Sequence, residues 1–149
     1  ADRKLFVNLP IRDLARSKAF FSALGFTFDP QFSGEGGACL VISAEARVML
    51  VTEAIFKTLT ERDVCDTRTH VEVLVTVSAE SRAEVDQLVN LAATTGGKAA
   101  GEAQDHGFMY DWGFYDPDGH GWGVAWMNPT AGQTSPRALV VESDAPSQH

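Results

Sequence analysis

The chain has 149 residues, 44% of them hydrophobic and 21% charged, the length and balance of one globular domain or of two small fused repeats. A formal charge of −8 excludes the basic face that nucleic-acid binding needs, and no run reaches the roughly 18 apolar residues of a membrane span. Two cysteines, Cys39 and Cys65, are too few for a disulfide framework. The N-terminus ADRKLFVNLP has no apolar signal core, so a cytoplasmic protein is expected.

In chain order, Leu5 to Ile11 alternates apolar residues around Pro10 and reads as a short strand. Asp13 is placed to cap a helix whose apolar stripe is Leu14, Ala15, Ala19, Phe20, Phe21, Ala23 and Leu24, with Gly25 as its stop. Phe26 to Phe28 reads as a strand ended by Asp29-Pro30. After a turn at Gly34 to Gly37, Ala38 to Ser43 and Arg47 to Thr52 read as two more strands. A short helix and connector are expected over 55–69.

A second cycle opens at His70. The β-branched stretch Val71 to Val77 reads as a strand, Ala83 to Ala92 as a helix ended by Gly96-Gly97, and Lys98 to Gln104 as a weak strand. Then comes DHGFMYDWGFYDPDGHGWGVAWM, residues 105–127, with all three tryptophans and both tyrosines. Asp-Pro-Asp-Gly at 116–119 predicts a tight turn between two aromatic strands, because proline presets one turn angle and glycine accepts positive φ. Past Pro129 the composition turns to Thr, Gly, Ser and Pro. A mobile tail over 130–149 is expected, with Ala138 to Val141 as a short docking strand.

Both cycles read β, α, β, β, β, and Phe6–Asp13 overlays Glu72–Ala79 at an offset of 66 residues. This is a repeat of a whole module rather than a solenoid period. The expected fold is α+β: modules of about 4–54 and 70–128 forming an incomplete barrel with a concave cleft, one domain over 1–129.

The paired modules, the opening FVNLPIRDLARSKAFFSALGF and the late FYDPDGHGWGV resemble the vicinal oxygen chelate superfamily, which includes glyoxalases, extradiol dioxygenases and bleomycin-resistance proteins. The closest look is to bacterial lactoylglutathione lyase-like proteins. The resemblance covers residues 4–128. It implies four ligand positions for a divalent metal on the first and last strands of the modules, and these fall on Phe6, near Leu50, on Glu72 and on Gly123. Three of those side chains cannot coordinate a metal, so no cofactor is expected; if a divalent ion binds, Glu72 with His70 beside it is the pair left to hold it. The resemblance also implies a homodimer.

Two functional readings follow. In the first, the cleft binds a small, partly aromatic molecule without metal, using Phe6, Asn8, Leu50, His106, Met109, Tyr110, Trp112, Phe114, Trp122 and Gly123. Glycines 121 and 123 beside Trp122 leave room on one strand face. In the second, the chain is a glyoxalase-type lyase or isomerase with Glu72 as general base. The competing reading of the aromatics is that they pack against the module helices. A third reading is a homodimer with no ligand of its own.

Overall fold

A computed structural model describes residues 3–129. The expected tail and the docking strand at 138–141 lie outside the described residues.

The first module runs β1 (Leu5–Ile11), α1 (Leu14–Ala23), β2 (Thr27–Gly34), β3 (Gly37–Val41) and β4 (Ala46–Thr52). A single helical turn, α2 (Glu53–Phe56), leads into the connector. The second module runs β5 (Leu74–Ser78), α3 (Arg82–Thr94), β6 (Lys98–Asp105), β7 (Met109–Tyr115) and β8 (Gly121–Met127). Each module makes one four-stranded sheet, ordered β1-β4-β3-β2 and β5-β8-β7-β6. The first and last strands of each module pair in parallel, β1 with β4 and β5 with β8, and the other pairs are antiparallel. The fold is the expected α+β one, with two sheets that do not close into a barrel.

Both helices start where a side chain can satisfy an orphan N–H. Asp13 accepts from the N–H of Arg16, and Ser81 accepts from that of Glu84. The buried stripe of α1 is Ser17, Phe20 and Phe21, and that of α3 is Val85, Val89 and Ala92. These faces meet the inward side chains of both sheets in one core that includes Leu9, Leu40, Leu50, Val77, Phe114 and Trp122. Phe20 meets Phe114 edge-on at 6.0 Å, and Phe21 lies 5.0 Å from Trp122, so the first module's helix packs on the second module's sheet. Burying each ring contributes about 2–3 kcal/mol.

Three boundaries differ from expectation. β2 continues through Asp29-Pro30 to Gly34, which an edge strand permits because proline's missing N–H faces away from the ladder; the pairing slips between Asp29 and Gly34. β5 starts at Leu74 rather than Val71. Its partner β8 begins at Gly121, opposite Leu74, so residues 71–73 have no ladder to join. β6 is a full strand of eight residues, with a register shift between Ala100 and Gln104. Among the described residues no helix is long and apolar enough to cross a membrane.

Candidate functional site

Each sheet has one face against the helices and one open face. On the first sheet, Leu9 and Ile11 of β1 and Val48 and Leu50 of β4 point into the core. The open face therefore carries Phe6, Asn8 and Pro10 beside their ladder partners Arg47, Met49 and Val51. On the second sheet Val77, Trp122, Val124 and Phe114 point inward. The open face carries Leu74, Thr76 and Ser78 opposite Gly121, Gly123 and Ala125. A Cβ on Gly123 would sit 2.6 Å from the Thr76 hydroxyl, so the Thr76 side chain occupies the space above that glycine.

Where β1 meets the connector and the segment leading into β5, the chain encloses a cavity of about 240 Å³. Phe56, Val64, Val71 and Val73 give it apolar walls, while Asn8, His70 and Glu72 supply polar groups. The Thr69 hydroxyl lies 2.8 Å from His70 Nδ1. Glu72 stands at a bend just before β5, exposed, and among the described residues its carboxylate has no partner. The structure thus brings together Asn8, His70 and Glu72, three of the residues singled out from the sequence.

The turn between β7 and β8 forms the floor of this region and ties the modules together. Gly119 has φ +87°, which leaves glycine as the unstrained choice there. Asp116 is buried and accepts from the backbone N–H groups of Asp118 and His120 and from the Trp122 indole. Burial pushes its carboxyl above the ordinary aspartate range, and the His120 charge and these donors pull back against that shift. Asp118, also buried, accepts from the N–H of Arg12 at 2.9 Å, the guanidinium of Arg16 at 3.2 Å and the hydroxyl of Ser17 at 3.2 Å. His120 donates from Nε2 to the Pro10 carbonyl at 2.6 Å. Asp118 and His120 thus reach β1 and α1 of the first module, which makes DPDGH an inter-module clasp as well as a hairpin turn.

A second polar group lies on the first sheet's open face. Arg47 donates from Nη1 to Asp29, and the same nitrogen lies 3.9 Å from the Cys39 sulfur. The arginine beside Asp29 holds that carboxyl below its ordinary range. Sequence reasoning passed over this pair. The available signal was an arginine inside the apolar run RVMLV, opposite an aspartate of a strand expected to have stopped.

The four metal-ligand positions implied by the family resemblance do not converge as a donor set. The helix caps, Asp13 and Ser81, are 81 − 13 = 68 residues apart, two more than the sequence overlay. Phe6 then corresponds to Leu74, not Glu72. The β4 position on the open face is Met49, because Leu50 is fully buried in the core. Phe6, Met49, Leu74 and Gly123 offer a thioether and no carboxylate or imidazole. Among the described residues no group of three or more His, Cys, Asp or Glu is placed to hold an ion. The residues do not fit the family's metal.

The predicted aromatic walls also fall elsewhere. Tyr110, Trp112, Phe114 and Trp122 turn to the helix side. Tyr110 donates to Asp86 of α3 at 2.7 Å, Trp112 donates to the Gly101 carbonyl, and Phe114 and Trp122 are core. Trp126 takes Arg82 over its ring. The alternation that puts even-numbered β7 residues inward leaves Met109, Asp111, Gly113 and Tyr115 on the open face. His106 sits in the β6–β7 loop, 3.5 Å from Asp111, and lines none of the cavity. Phe6 is half exposed on the open face outside the cavity.

Residues 3–43 match the family model of the bleomycin resistance protein-like N-terminal region. Among solved structures, a hypothetical protein from S. aureus aligns with a TM-score of 0.72 at 25% identity, over 85% of this chain and 94% of that one. A glyoxalase/bleomycin resistance protein/dioxygenase family enzyme from Burkholderia phytofirmans aligns with a TM-score of 0.71 at 15% identity, over 83% and 97%. A glyoxalase-related enzyme from Fulvimarina pelagi aligns with a TM-score of 0.69 at 20% identity, over 87% and 90%. Among curated protein sequences none matches significantly. Duplicated βαβββ modules and the family match together place the chain in the vicinal oxygen chelate superfamily. Within it, the first module is similar to the N-terminal region of bleomycin resistance-like proteins.

Proposed function

We propose that the protein binds a small, partly aromatic molecule at the junction of its modules, without the metal that the superfamily's chelating members use. One observation carries this reading: the open-face positions that would form the metal site hold Phe6, Met49, Leu74 and Gly123, while an apolar cavity with three polar groups lies beside them. The ligand's ring would pack on Phe56, Val71 and Val73, and Asn8 and Glu72 would orient its polar edge. At about 240 Å³ the cavity is smaller than most drug sites, which suits a fragment-sized ring or the end of a longer molecule.

The neighbouring strands support a homodimer that enlarges this site. Leu5, Phe6, Val71 and Leu74 are all at least half exposed on or beside β1 and β5, and each of those strands has one unpaired edge. A second copy would cover them, and light scattering would give the mass directly.

A thermal-shift screen of planar aromatic compounds tests the binding reading. A hit should raise the melting temperature of the native chain and of Trp112→Phe alike, and Val73→Trp, which fills the cavity, should abolish the shift. No stabilisation by any compound in a broad panel would remove the reading. The unpartnered Glu72 beside His70 supports a second reading, an isomerase or lyase in which Glu72 removes a proton next to a carbonyl. Full turnover by Glu72→Gln on a confirmed substrate would eliminate it.

A further inference from the structure

Among the described residues, Arg47 Nε is the one buried side-chain nitrogen or oxygen without a hydrogen-bond partner. A buried donor left unsatisfied costs about 1–3 kcal/mol, so its persistence asks for a reason. The guanidinium has five N–H donors. Nη1 takes Asp29 and the Cys39 sulfur, and among the described residues nothing accepts from Nε or Nη2. The side chain keeps 17% of its exposure, so the group is fixed by Asp29 yet not sealed.

Its surroundings are those of a binding surface. Arg47 is the ladder partner of Phe6, and Met49, next on the same face, is the partner of Asn8. Asn8 also lines the junction cavity. Two residues of a parallel strand span about 6–7 Å, so a flat molecule reaching out of the cavity along β1 would bring its far end to the guanidinium. Phe6 offers a half-exposed ring for that molecule to lie against.

We infer that the Nε–Nη2 edge of Arg47 is the polar anchor of this site, and that its ligand is a planar aromatic molecule bearing an uncharged carbonyl-type acceptor. The charge argument selects the uncharged form. Asp29 already neutralises the guanidinium, and the chain carries a net charge of −8. A ligand carboxylate would be set beside Asp29, whereas a carbonyl oxygen gains the same donors without that repulsion. A cationic ligand would meet the arginine. The inference rests on the binding reading above, and Asp29 serves in it as a positioning residue.

The experiment is a titration of the full chain with four naphthalenes of one shape: 2-acetylnaphthalene, 2-naphthoate, 2-ethylnaphthalene and 2-naphthylmethylamine. Dissociation constants are followed by naphthalene fluorescence, and folding of each variant by its melting curve. The ketone should bind about tenfold more tightly than the hydrocarbon, the worth of one good hydrogen bond. Arg47→Gln should erase that difference while leaving hydrocarbon binding unchanged. Arg47→Lys keeps the charge and loses the fork, and should retain only part of the preference. Asp29→Asn, which frees the guanidinium's charge, should shift preference toward naphthoate. Equal binding of ketone and hydrocarbon, or an undiminished ketone preference in a folded Arg47→Gln or Arg47→Lys, would overturn the anchor while leaving the binding reading intact. Naphthoate as the tightest ligand of the native chain would overturn the uncharged class. Binding of none of the four would count against both.

Discussion

The Ser17 hydroxyl donates to Oδ2 of Asp118 at 3.2 Å across 101 residues of sequence, and both residues are almost sealed from solvent. Arg12 and Arg16 converge on the same carboxylate from the first module. The clasp holds β1 at the angle that forms the junction cavity. Asp118→Ala leaves those donors without an acceptor and should cost about 3 kcal/mol in urea unfolding, whereas Ser17→Ala should cost about 1 kcal/mol. Equal, negligible losses for both would show that the modules are held by the Phe20–Phe114 and Phe21–Trp122 contacts alone.

The Asp29–Arg47 pair has a pH signature. Asp29's folded-state pKa lies below its ordinary value of 3.8, chiefly through the hydrogen bond from Arg47. A lowered folded pKa means the unfolded chain binds the proton first, so the pair's contribution is present above the ordinary value and is lost as pH falls through the folded one. The stability difference between native chain and Asp29→Asn should therefore be constant near neutrality and shrink on acidification below about pH 4. A difference that grows in acid would contradict the pairing.

Tyr110 should behave as a structural residue. Its hydroxyl donates to Asp86, and that bond is the leading cause holding its pKa above 10.0. Tyr110→Phe is expected to cost about 1 kcal/mol and to leave ligand affinity unchanged. Trp122→Leu, at 2% exposure against Phe21 and Phe114, should cost about 3 kcal/mol or more. A tenfold affinity loss in Tyr110→Phe without destabilisation would return that ring to the site.

Duplicated modules, helix starts and the aromatic hairpin were legible because periodicity, capping residues and Pro-Asp-Gly act locally. Side-chain direction on the strands was not. The stretch Val71–Val77 reads as one strand, but ladder pairing depends on where β8 begins, 50 residues later. One residue separates Ile11 from the Asp13 cap and two separate Ser78 from the Ser81 cap, a difference invisible until the ladders fix the strand ends. The overlay at 66 thus set Glu72 on a strand it does not join. A single-residue error in β4 chose Leu50 over Met49 and so chose the wrong face. The cavity still contains Glu72, His70 and Asn8 because the connector folds back over β1, a tertiary event that local pattern does not encode.

Calorimetric titration of the best planar ligand, in chelator-treated buffer and again with saturating Ni²⁺, Zn²⁺ or Mn²⁺, addresses the central claim most directly. Recognition by protein groups at the module junction predicts one dissociation constant under all these conditions, weakened at least severalfold by Val73→Trp. Binding that appears only when the ion is supplied, and is indifferent to Val73→Trp, would contradict it.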